Sequence, residues 1–338
     1  MKTVAVFSIA VMILFLFNFP SNFVEPKISA TFSIVAFDPE AREVGVAVQS
    51  KFPNVRPIVP WAKAEVGAIA TQSFANVSYG PVGLALLENG ATAEQALQIL
   101  LQNDPKKEIR QVGIVDFKGN SASWTGNECF DWAGGIVGYG EGKKYGGKGQ
   151  IITGRYYAVQ GNILVDQRTV EAMAKAFEET KGTLADKLVS ALVAGGKAGG
   201  DRRGEQSAAL LVVKKGAGYD STMDNYIDIS IYDHPKPLEE LQRLYNLHKL
   251  YFFKSDPKNL VKIDEKICRE LQQIMKDRGF YDGPINGIFD AKTKKALQDF
   301  MGWENYDVRI REDDLIDIEV LQDIRKNYEQ WKAKYGKK

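Results

Sequence analysis

Short β-type runs and longer amphipathic segments alternate between residue 31 and about residue 253 of this 338-residue chain. The β-type runs are rich in valine, isoleucine and small residues, and turn sequences such as Asp38-Pro39-Glu40 close them. The helical segments repeat apolar residues at three- and four-residue spacing. The pattern predicts eight strands, Thr31–Phe37, Glu43–Gln49, Val66–Thr71, Gln111–Phe117, Ser121–Thr125, Tyr156–Val159, Ala208–Val213 and Tyr226–Ile231, and five helices, Gly80–Glu88, Thr92–Leu101, Val170–Glu179, Leu184–Ala194 and Leu238–Phe253.

The order of these elements indicates the fold class. Strands come first, followed by helices, strands, helices and strands, which is typical of an α+β layered domain with mostly antiparallel sheets. No strand leads into a Gly-x-Gly-x-x-Gly helix start, so a parallel dinucleotide-binding sheet is disfavoured. Thr92 and Gln95 have the spacing of a capping box. The glycine-rich segment 133–154 is predicted to be a mobile loop.

A polar stretch with Pro257 separates this domain from a shorter second one. We place a linker at residues 254–262, because domain boundaries fall in polar, proline-containing segments. Beyond it the pattern predicts a small all-α module at residues 263–330, with helices at Asp264–Arg278, Ala291–Phe300 and Ile318–Tyr328. The first domain then spans residues 31–253.

The first 30 residues are typical of a secretory signal peptide. Lys2 precedes an apolar run from Val4 to Phe19, and a polar stretch leads to Ile28-Ser29-Ala30. This run is shorter than the roughly 20 apolar residues that span a bilayer, and a small residue stands at the expected cleavage site. The alternative is an uncleaved membrane anchor through residues 4–19. Both readings predict an extracytoplasmic protein, secreted or periplasmic.

Cleavage after Ala30 would make Thr31 the first residue of the mature protein. Its hydroxyl would then lie next to a free α-amine, which is the minimal apparatus of an N-terminal nucleophile. The α-amine has a pKa of about 8, so part of it is neutral at pH 7 and can accept the hydroxyl proton. The alternative is that Thr31 is an ordinary β-branched strand residue.

Composition excludes several other classes of function. The net charge is +1 with 26% charged residues, which gives no sign of nucleic-acid binding. With two histidines and two cysteines, a His/Cys metal site is nearly excluded, and no cofactor is expected. His234 lies in a turn and His248 on a charged helix, and neither context suggests a catalytic base. Cys129 and Cys268 are read as two independent thiols rather than as a disulfide.

Several polar residues are candidates to assist Thr31. Asn76 and Asn162 are candidate oxyanion donors, although Asn76 lies in a turn-rich stretch where asparagine often bonds its own backbone. Gln49, at the end of the second strand, is a candidate polar partner of the nucleophile or substrate, and a solvent-facing side chain is the alternative.

A second group of candidates precedes the buried strand Ala208–Val213. Arg202 and Arg203 would position a carboxylate-bearing substrate or polarise the amine of Thr31, with Asp201 beside them. The alternative is a structural Asp–Arg pair that holds a glycine turn. Gln206 and Ser207 would line the site at the entrance of the strand, or serve the structure alone.

Several separate motifs of the first domain occur in one order: Thr31-Phe-Ser-Ile-Val-Ala36, Val59-Pro-Trp-Ala62, Thr71-Gln72, Asn76 with Ser78-Tyr79-Gly80, Gln160-Gly-Asn162 and Asp201-Arg-Arg-Gly-Glu-Gln-Ser207. On these motifs the domain resembles, from Thr31 to about Tyr245, a family of uncharacterised proteins with an Ntn-hydrolase-like fold. The resemblance implies a four-layer αββα arrangement and Thr31 as the candidate nucleophile. In that family the threonine typically follows the initiator methionine, whereas here a signal peptide takes the methionine's place.

The second domain has Leu271, a turn from Gly279 to Gly287, and a following helix with Thr293, Ala296-Leu297 and Phe300. On these residues it is similar to the peptidoglycan-binding domains that are appended to some secreted wall enzymes. It implies glycan contacts from Tyr281, Asp282 and Asn286, although Asp-Gly and Asn-Gly are also ordinary turn formers. The segment Asp317-Ile-Glu-Val-Leu321 departs from the usual repeat.

Together these features predict an exported N-terminal-threonine amidohydrolase that acts on an amide bond, in cell-wall material if the second domain binds peptidoglycan. Its partners would be peptidoglycan and a small amide or peptide substrate, with no nucleic acid. The alternative is a non-catalytic cell-envelope binding protein with the same fold. Whether the protein is an enzyme depends on the free amine of Thr31.

Overall fold

The computed structural model describes residues 31–336, so the predicted signal peptide at residues 1–30 lies outside the described residues. The described chain is a mixed α+β protein. Its strands are β1 Thr31–Asp38, β2 Glu43–Ser50, β3 Pro60–Lys63, β4 Gly67–Ser73, β5 Arg110–Asp116, β6 Asn120–Thr125, β7 Gly134–Val137, β8 Lys144–Gly146, β9 Gln150–Arg155, β10 Tyr157–Asn162, β11 Ser207–Val213, β12 Asn225–Ile231, β13 Leu260–Lys262 and β14 Leu315–Asp317. Its helices are α1 Tyr79–Glu88, α2 Ala93–Gln102, α3 Arg168–Glu179, α4 Leu184–Lys197, α5 Pro237–Phe252, α6 Glu265–Asp277, α7 Ala291–Trp303 and α8 Ile318–Tyr335.

Two large antiparallel sheets make up the first domain. The seven-stranded sheet has the order β12-β11-β2-β1-β10-β7-β8, and the five-stranded sheet has the order β3-β4-β5-β6-β9. Hairpins and longer connections join the strands, and every pair within these sheets is antiparallel. The prediction of mostly antiparallel sheets is therefore confirmed.

The two large sheets face each other, and helices cover their outer faces. Val35 and Ala70 contribute to the apolar core between the sheets. Successive strand residues point to opposite faces of a sheet, so Phe32 of β1 points away from the face that carries Val35. It packs beneath α3 and α4. On the five-stranded sheet, Ile69 packs in the same manner beneath α1 and α2. The predicted capping box at Thr92 and Gln95 is present at the start of α2.

The prediction of a loop at residues 133–154 is wrong, because this segment contains β7, β8 and most of β9. Glycine is a poor strand former in general, but here its lack of a side chain allows strands to approach closely. A Cβ atom at Gly154 would lie 2.6 Å from the backbone nitrogen of Gly138. The short strand β3 also has no counterpart among the predicted strands.

The C-terminal region has its own helical core. Helices α6, α7 and α8 bury Leu271, Leu297 and Leu321, among others, in one cluster. Residues 254–262, predicted as a linker, include strand β13, which pairs with β14. Val261 packs against the same cluster, so a three-residue strand replaces part of the expected linker.

Helix α5 takes part in both cores. Leu241 and Tyr245 of this helix are buried against the first domain, and Leu250, in its last turn, packs against the C-terminal core. Arg309 from the C-terminal region donates from Nη2 to the carbonyl oxygen of Lys249, at 2.8 Å. The same guanidinium forms an ion pair with Asp317, and the two side chains are 3% and 0% exposed. A continuous helix and a hydrogen bond from the buried guanidinium of Arg309 thus join the two regions.

We expect Asp317→Asn to lower the free energy of unfolding by about 3 kcal/mol, because the buried charge of Arg309 would keep only its longer contact with Glu319, at 3.7 Å. Urea denaturation measures this loss. The matched control is Asp313→Asn, since Asp313 pairs with Arg311 and both side chains are partly exposed (42% and 31%). The control should cost under about 1 kcal/mol. Equal losses of unfolding free energy in the two variants would show that burial of the Arg309–Asp317 pair does not set the cost.

Candidate active site

Thr31 begins β1, the fourth strand of the seven-stranded sheet, and pairs with β2 on one side and β10 on the other. Its side chain is on the same face as Val35, toward the five-stranded sheet. Its hydroxyl donates to Ser50 Oγ at 3.1 Å. The residue is 1% exposed. The candidate nucleophile therefore lies at the end of the strand, between the two sheets.

A row of four polar residues crosses the sheet at Thr31. In register, Ser207 of β11 pairs with Ser50 of β2, Ser50 pairs with Thr31, and Thr31 pairs with Asn162 of β10. All four are buried. The structure thus brings together three residues predicted from sequence, Thr31, Asn162 and Ser207, and adds Ser50.

Below this row, glutamine side chains form a buried hydrogen-bond network between the sheets. Gln72 of β4 donates to the carbonyl oxygen of Thr31 at 3.2 Å and to Gln111 Oε1 at 2.8 Å. Gln72 Oε1 accepts from Ser33 Oγ at 2.6 Å, and Gln160 donates to Ser33 Oγ at 2.7 Å. Gln72 therefore ties the backbone of Thr31 to the opposite sheet.

Gln111 sets the orientation of the Asn162 amide. Gln111 Nε2 donates to the carbonyl oxygen of Gly161 at 2.7 Å and to Thr125 Oγ1 at 2.8 Å, so its Oε1 must face the other way. Asn162 Nδ2 donates to this Oε1 at 2.9 Å. The buried Oδ1 of Asn162 has no hydrogen-bond partner. Asn162 therefore has an unused acceptor, and the predicted role of oxyanion donor does not fit this orientation.

Asp201 joins the turn before β11 to the end of β2. Its buried carboxylate accepts from the backbone N–H groups of Lys51 and Arg203, each at 2.8 Å. The guanidinium of Arg203 lies 3.1 Å from the same carboxylate and is 32% exposed. Arg202 donates from its backbone to the carbonyl oxygen of Ile163 at 3.0 Å. These contacts hold the turn against the strands that carry Ser50 and Asn162.

Two candidates point away from Thr31. Gln49 pairs in register with Phe32 and Ala208, which face the helices, so its side chain is on the opposite face of the sheet from Thr31. It is fully buried, so the prediction of a solvent-facing side chain is wrong, and neither of its amide atoms has a partner. Gln206 donates to Asp233 at 2.9 Å near the surface.

Asn76 belongs to a cluster around Asp104. Asn76 Nδ2 donates to Asp104 at 3.1 Å, as do the Tyr79 hydroxyl at 2.9 Å and Arg110 Nε at 3.0 Å. Asn76 Oδ1 accepts from the Ser78 hydroxyl at 2.7 Å. The side chain therefore fixes the turn before α1, and these contacts do not support a role as oxyanion donor.

Ser50 and Gln111 were not among the residues singled out from sequence. Ser50 follows Gln49 directly, and the alternation of strand faces would have pointed to one of the two, without saying which. Gln111 is the second residue of β5 in the other sheet, 80 residues from Thr31, and only sheet packing brings the two together. Among residues 31–336 no cluster of three or more histidine, cysteine or acidic side chains could hold a metal ion.

The histidines and cysteines have structural surroundings. Burial lowers the pKa of His248, whose ring contacts Phe252 and Phe253. Cys129 and Cys268 are both free and buried, so the prediction of two independent thiols is confirmed.

The turn residues predicted to bind glycan form part of an internal network. Gln272 of α6 donates to Asn286 Oδ1 at 3.1 Å and to Thr293 Oγ1 at 3.1 Å, and its Oε1 accepts from the backbone of Asn286. Tyr281 is buried and donates from its hydroxyl to the carbonyl oxygen of Pro284. Asp282 is exposed and pairs with Lys292 at 2.7 Å. Glycan binding at this turn stays a prediction, and Asp282 has the most accessible side chain of the three.

Residues 31–241 match the model described as "Family of unknown function (DUF1028)", and the chain belongs to this family. Residues 251–323 match the model described as "Putative peptidoglycan binding domain". Both resemblances seen in the sequence are thereby confirmed. The crystal structure of protein SPO2555 from Silicibacter pomeroyi, assigned to DUF1028, is similar, with 28% identity, a TM-score of 0.55, and coverage of 65% of this chain and 86% of that chain. No curated protein matches.

The match of the C-terminal region supports peptidoglycan as a partner and association with the cell wall, outside the cytoplasm. None of the helices in the described part of the chain is both long enough and apolar enough to cross a membrane.

The Asp104 cluster predicts a pH dependence of stability. Burial alone would raise the pKa of Asp104, but hydrogen bonds from Arg110, the Lys106 N–H, Asn76 and Tyr79 outweigh it and lower the pKa to about 2. A lowered pKa in the folded state stabilises the protein above the unfolded-state pKa of about 4, and this contribution disappears as the pH falls toward 2.

We therefore expect Asp104→Asn to be destabilising at pH 7 and the penalty to shrink between about pH 4 and pH 2. Urea denaturation of both proteins across this range measures the difference. Asp299→Asn is the control, because Asp299 is exposed. A penalty that is independent of pH would show that the charge of Asp104 is not what stabilises the turn.

Proposed function

We propose that this protein is an exported N-terminal-threonine amidohydrolase that acts on an amide bond in cell-wall material. The observation that carries the proposal is the position of Thr31 at the start of an inner strand, with its hydroxyl 3.1 Å from Ser50 and a row of buried polar side chains on both flanks. Export would remove residues 1–30 as a signal peptide and leave Thr31 with a free α-amine.

Two facing sheets with helices on both outer faces support the four-layer αββα Ntn-hydrolase-like arrangement that the family resemblance implies. In such an arrangement the nucleophile begins a strand between the layers. We assign residues 31–253 to this domain and residues 263–330 to a wall-binding module. The short strand β13 lies in the segment between them.

The reaction would begin with attack of Thr31 Oγ on the substrate carbonyl carbon. The hydroxyl proton would pass to the α-amine of Thr31, directly or through a water, and then to the departing amine of the substrate as the C–N bond breaks. The resulting ester on Thr31 would be hydrolysed by a water that the same amine activates. No metal or cofactor takes part in this sequence.

Asn162 has the features of a positioning residue for the α-amine. It is the strand partner of Thr31, Gln111 fixes its amide, and its Oδ1 is a buried acceptor without a partner. An amine that donates one hydrogen to such an acceptor keeps its lone pair directed elsewhere. Ser50 would orient the Thr31 hydroxyl from the other side.

Charges near the row favour a substrate that carries a carboxylate. Arg203 is partly exposed, and its guanidinium lies beside Asp201 and 3.4 Å from the carbonyl oxygen of Lys51, which follows Ser50 in the chain. Planar guanidinium groups suit carboxylates. Peptides of the cell wall, with amide bonds and free carboxylates, combine both requirements, and the peptidoglycan-binding match supports this choice.

The test uses protein that starts at Thr31, its Thr31→Ala and Thr31→Ser variants, and a form with one extra glycine before Thr31. A β-lactone probe opens when a hydroxyl attacks it, so intact mass reports labelling without a known substrate. We expect labelling of the first form and of Thr31→Ser, and none of Thr31→Ala. The extra glycine, which blocks the amine, should slow labelling by about 10²- to 10⁴-fold.

Equal labelling of the glycine-extended form would remove the amine from the mechanism. Absence of labelling in every form, together with a mature N-terminus other than Thr31 in an exporting host, would favour the non-catalytic cell-envelope binding protein. Folding of each variant is checked by its denaturation midpoint.

Wall binding is tested separately by cosedimentation with purified sacculi. We expect the protein starting at Thr31 and its Thr31→Ala variant to be retained equally, because binding is assigned to the C-terminal region. Asp282→Ala removes the exposed carboxylate of the predicted glycan-binding turn and should reduce retention, whereas Asp313→Ala, also an exposed carboxylate of this region, should not. Failure of the unaltered protein to sediment with sacculi would argue against a wall-binding role.

A further inference from the structure

A cavity of about 650 Å³ lies at the end of the two sheets opposite Thr31. Its walls come from the start of α2, the start of β6, the loop between β7 and β8, and the end of β9. β1 runs seven residues from Thr31 toward this end, a distance of about 20 Å at the usual rise of a strand. The cavity is therefore separate from the candidate active site.

The loop over this cavity is held in place by Glu178 of α3. Lys143 Nζ lies 3.0 Å from one carboxylate oxygen, and the backbone N–H of Gly140 donates to the other at 3.2 Å. The hydroxyl of Tyr157 donates to the same oxygen at 2.6 Å. The cavity is thus preformed, as ligand sites usually are.

Two cations border the cavity without a carboxylate partner among residues 31–336. Lys144 and Arg155 are both wall residues, and neither forms an ion pair within the described chain. Hydrogen bonds to Asn120 Oδ1 and to the carbonyl oxygen of Lys118, both at 3.0 Å, fix the guanidinium of Arg155. Glu94 is the single carboxylate in the wall, so the lining carries a net positive charge.

A buried hydroxyl in the same wall has no hydrogen-bond partner. Ser121 is 1% exposed, and its Oγ is unsatisfied. Nearly all buried polar groups in proteins are hydrogen-bonded, so an unsatisfied one next to a cavity indicates a polar ligand. This observation is independent of the two cations.

Tyrosine rings give the cavity a further property. Tyr139 and Tyr156 border it and also border an adjoining cavity of about 290 Å³. Tyrosine combines an apolar face with a polar tip, which suits a ligand with both kinds of surface. Thr92, Asn120 and Thr153 supply additional hydroxyl and amide groups. The volume is within the range of small-ligand sites and is much larger than a single anion needs.

We propose that this cavity is a second ligand site, which binds an amino sugar bearing a carboxylate. The tyrosines would pack against the sugar ring, Ser121 and Asn120 would bond its hydroxyl or amide groups, and Lys144 with Arg155 would hold the carboxylate. The acidic amino sugar of peptidoglycan has this chemistry once its carboxyl group is no longer amide-linked to a wall peptide, and the C-terminal match supports contact with that polymer. The proposal does not depend on the role of Thr31.

The experiment titrates the protein starting at Thr31 with N-acetylmuramic acid, N-acetylglucosamine and lactate, by calorimetry and by NMR of the Gly138 and Gly142 amides. The neutral sugar lacks the carboxylate, and lactate lacks the sugar. We expect N-acetylmuramic acid to bind at least about 10-fold more tightly than either, with shifts at both glycines.

Lys144→Gln should weaken N-acetylmuramic acid binding at this site about 10-fold and leave N-acetylglucosamine unchanged. Lys148→Gln is the matched control, because Lys148 lies four residues away and pairs with Asp131 at 2.6 Å. The proposal would be overturned if N-acetylmuramic acid bound no more tightly than N-acetylglucosamine or than lactate. Equal effects of the two lysine substitutions would also overturn it. Binding that leaves the glycine amides unshifted belongs to another site and would also overturn it.

Discussion

The amide of Gln111 is the contact on which the geometry around Thr31 depends. It donates to a backbone carbonyl of the facing sheet, and this fixes which end of the amide is the acceptor. That acceptor orients Gln72, which bonds the carbonyl oxygen of Thr31, and Asn162, which is the strand partner of Thr31. Side chains in a buried network of this kind hold one another in place, so losing Gln111 would release both neighbours.

Local sequence patterns were sufficient for most strands and helices of the first domain, because alternation and capping residues act over a few positions. They failed at residues 133–154, where glycine allows close approach between strands. They also failed at Gln49, because the choice between adjacent strand residues depends on register with distant strands. Gln111 could not be assigned to the candidate site from sequence. Its partners come from β4, β6 and β10, and only the packing of the two sheets brings these strands together.

Helix α5 packs against both regions and so joins them more rigidly than a flexible linker would. One face of the helix is buried against the first domain, and its last turns are buried against the C-terminal core. Arg309, which Asp317 holds in place, bonds the carbonyl oxygen of Lys249, so separating the regions would break a charge-assisted hydrogen bond. A wall-bound C-terminal region would therefore hold the first domain in a defined orientation to the polymer.

Two buried polar atoms without a partner fit the catalytic role that we propose for the Thr31 row. Asn162 Oδ1 and Ser207 Oγ are buried there without a partner. Each such atom costs about 1–3 kcal/mol, and replacing it with an apolar group of similar shape would remove that cost. A purely structural row gains nothing from keeping both on either side of a threonine. An enzyme does, because groups that are unsatisfied before the reaction can bond the amine and the charges that form during it.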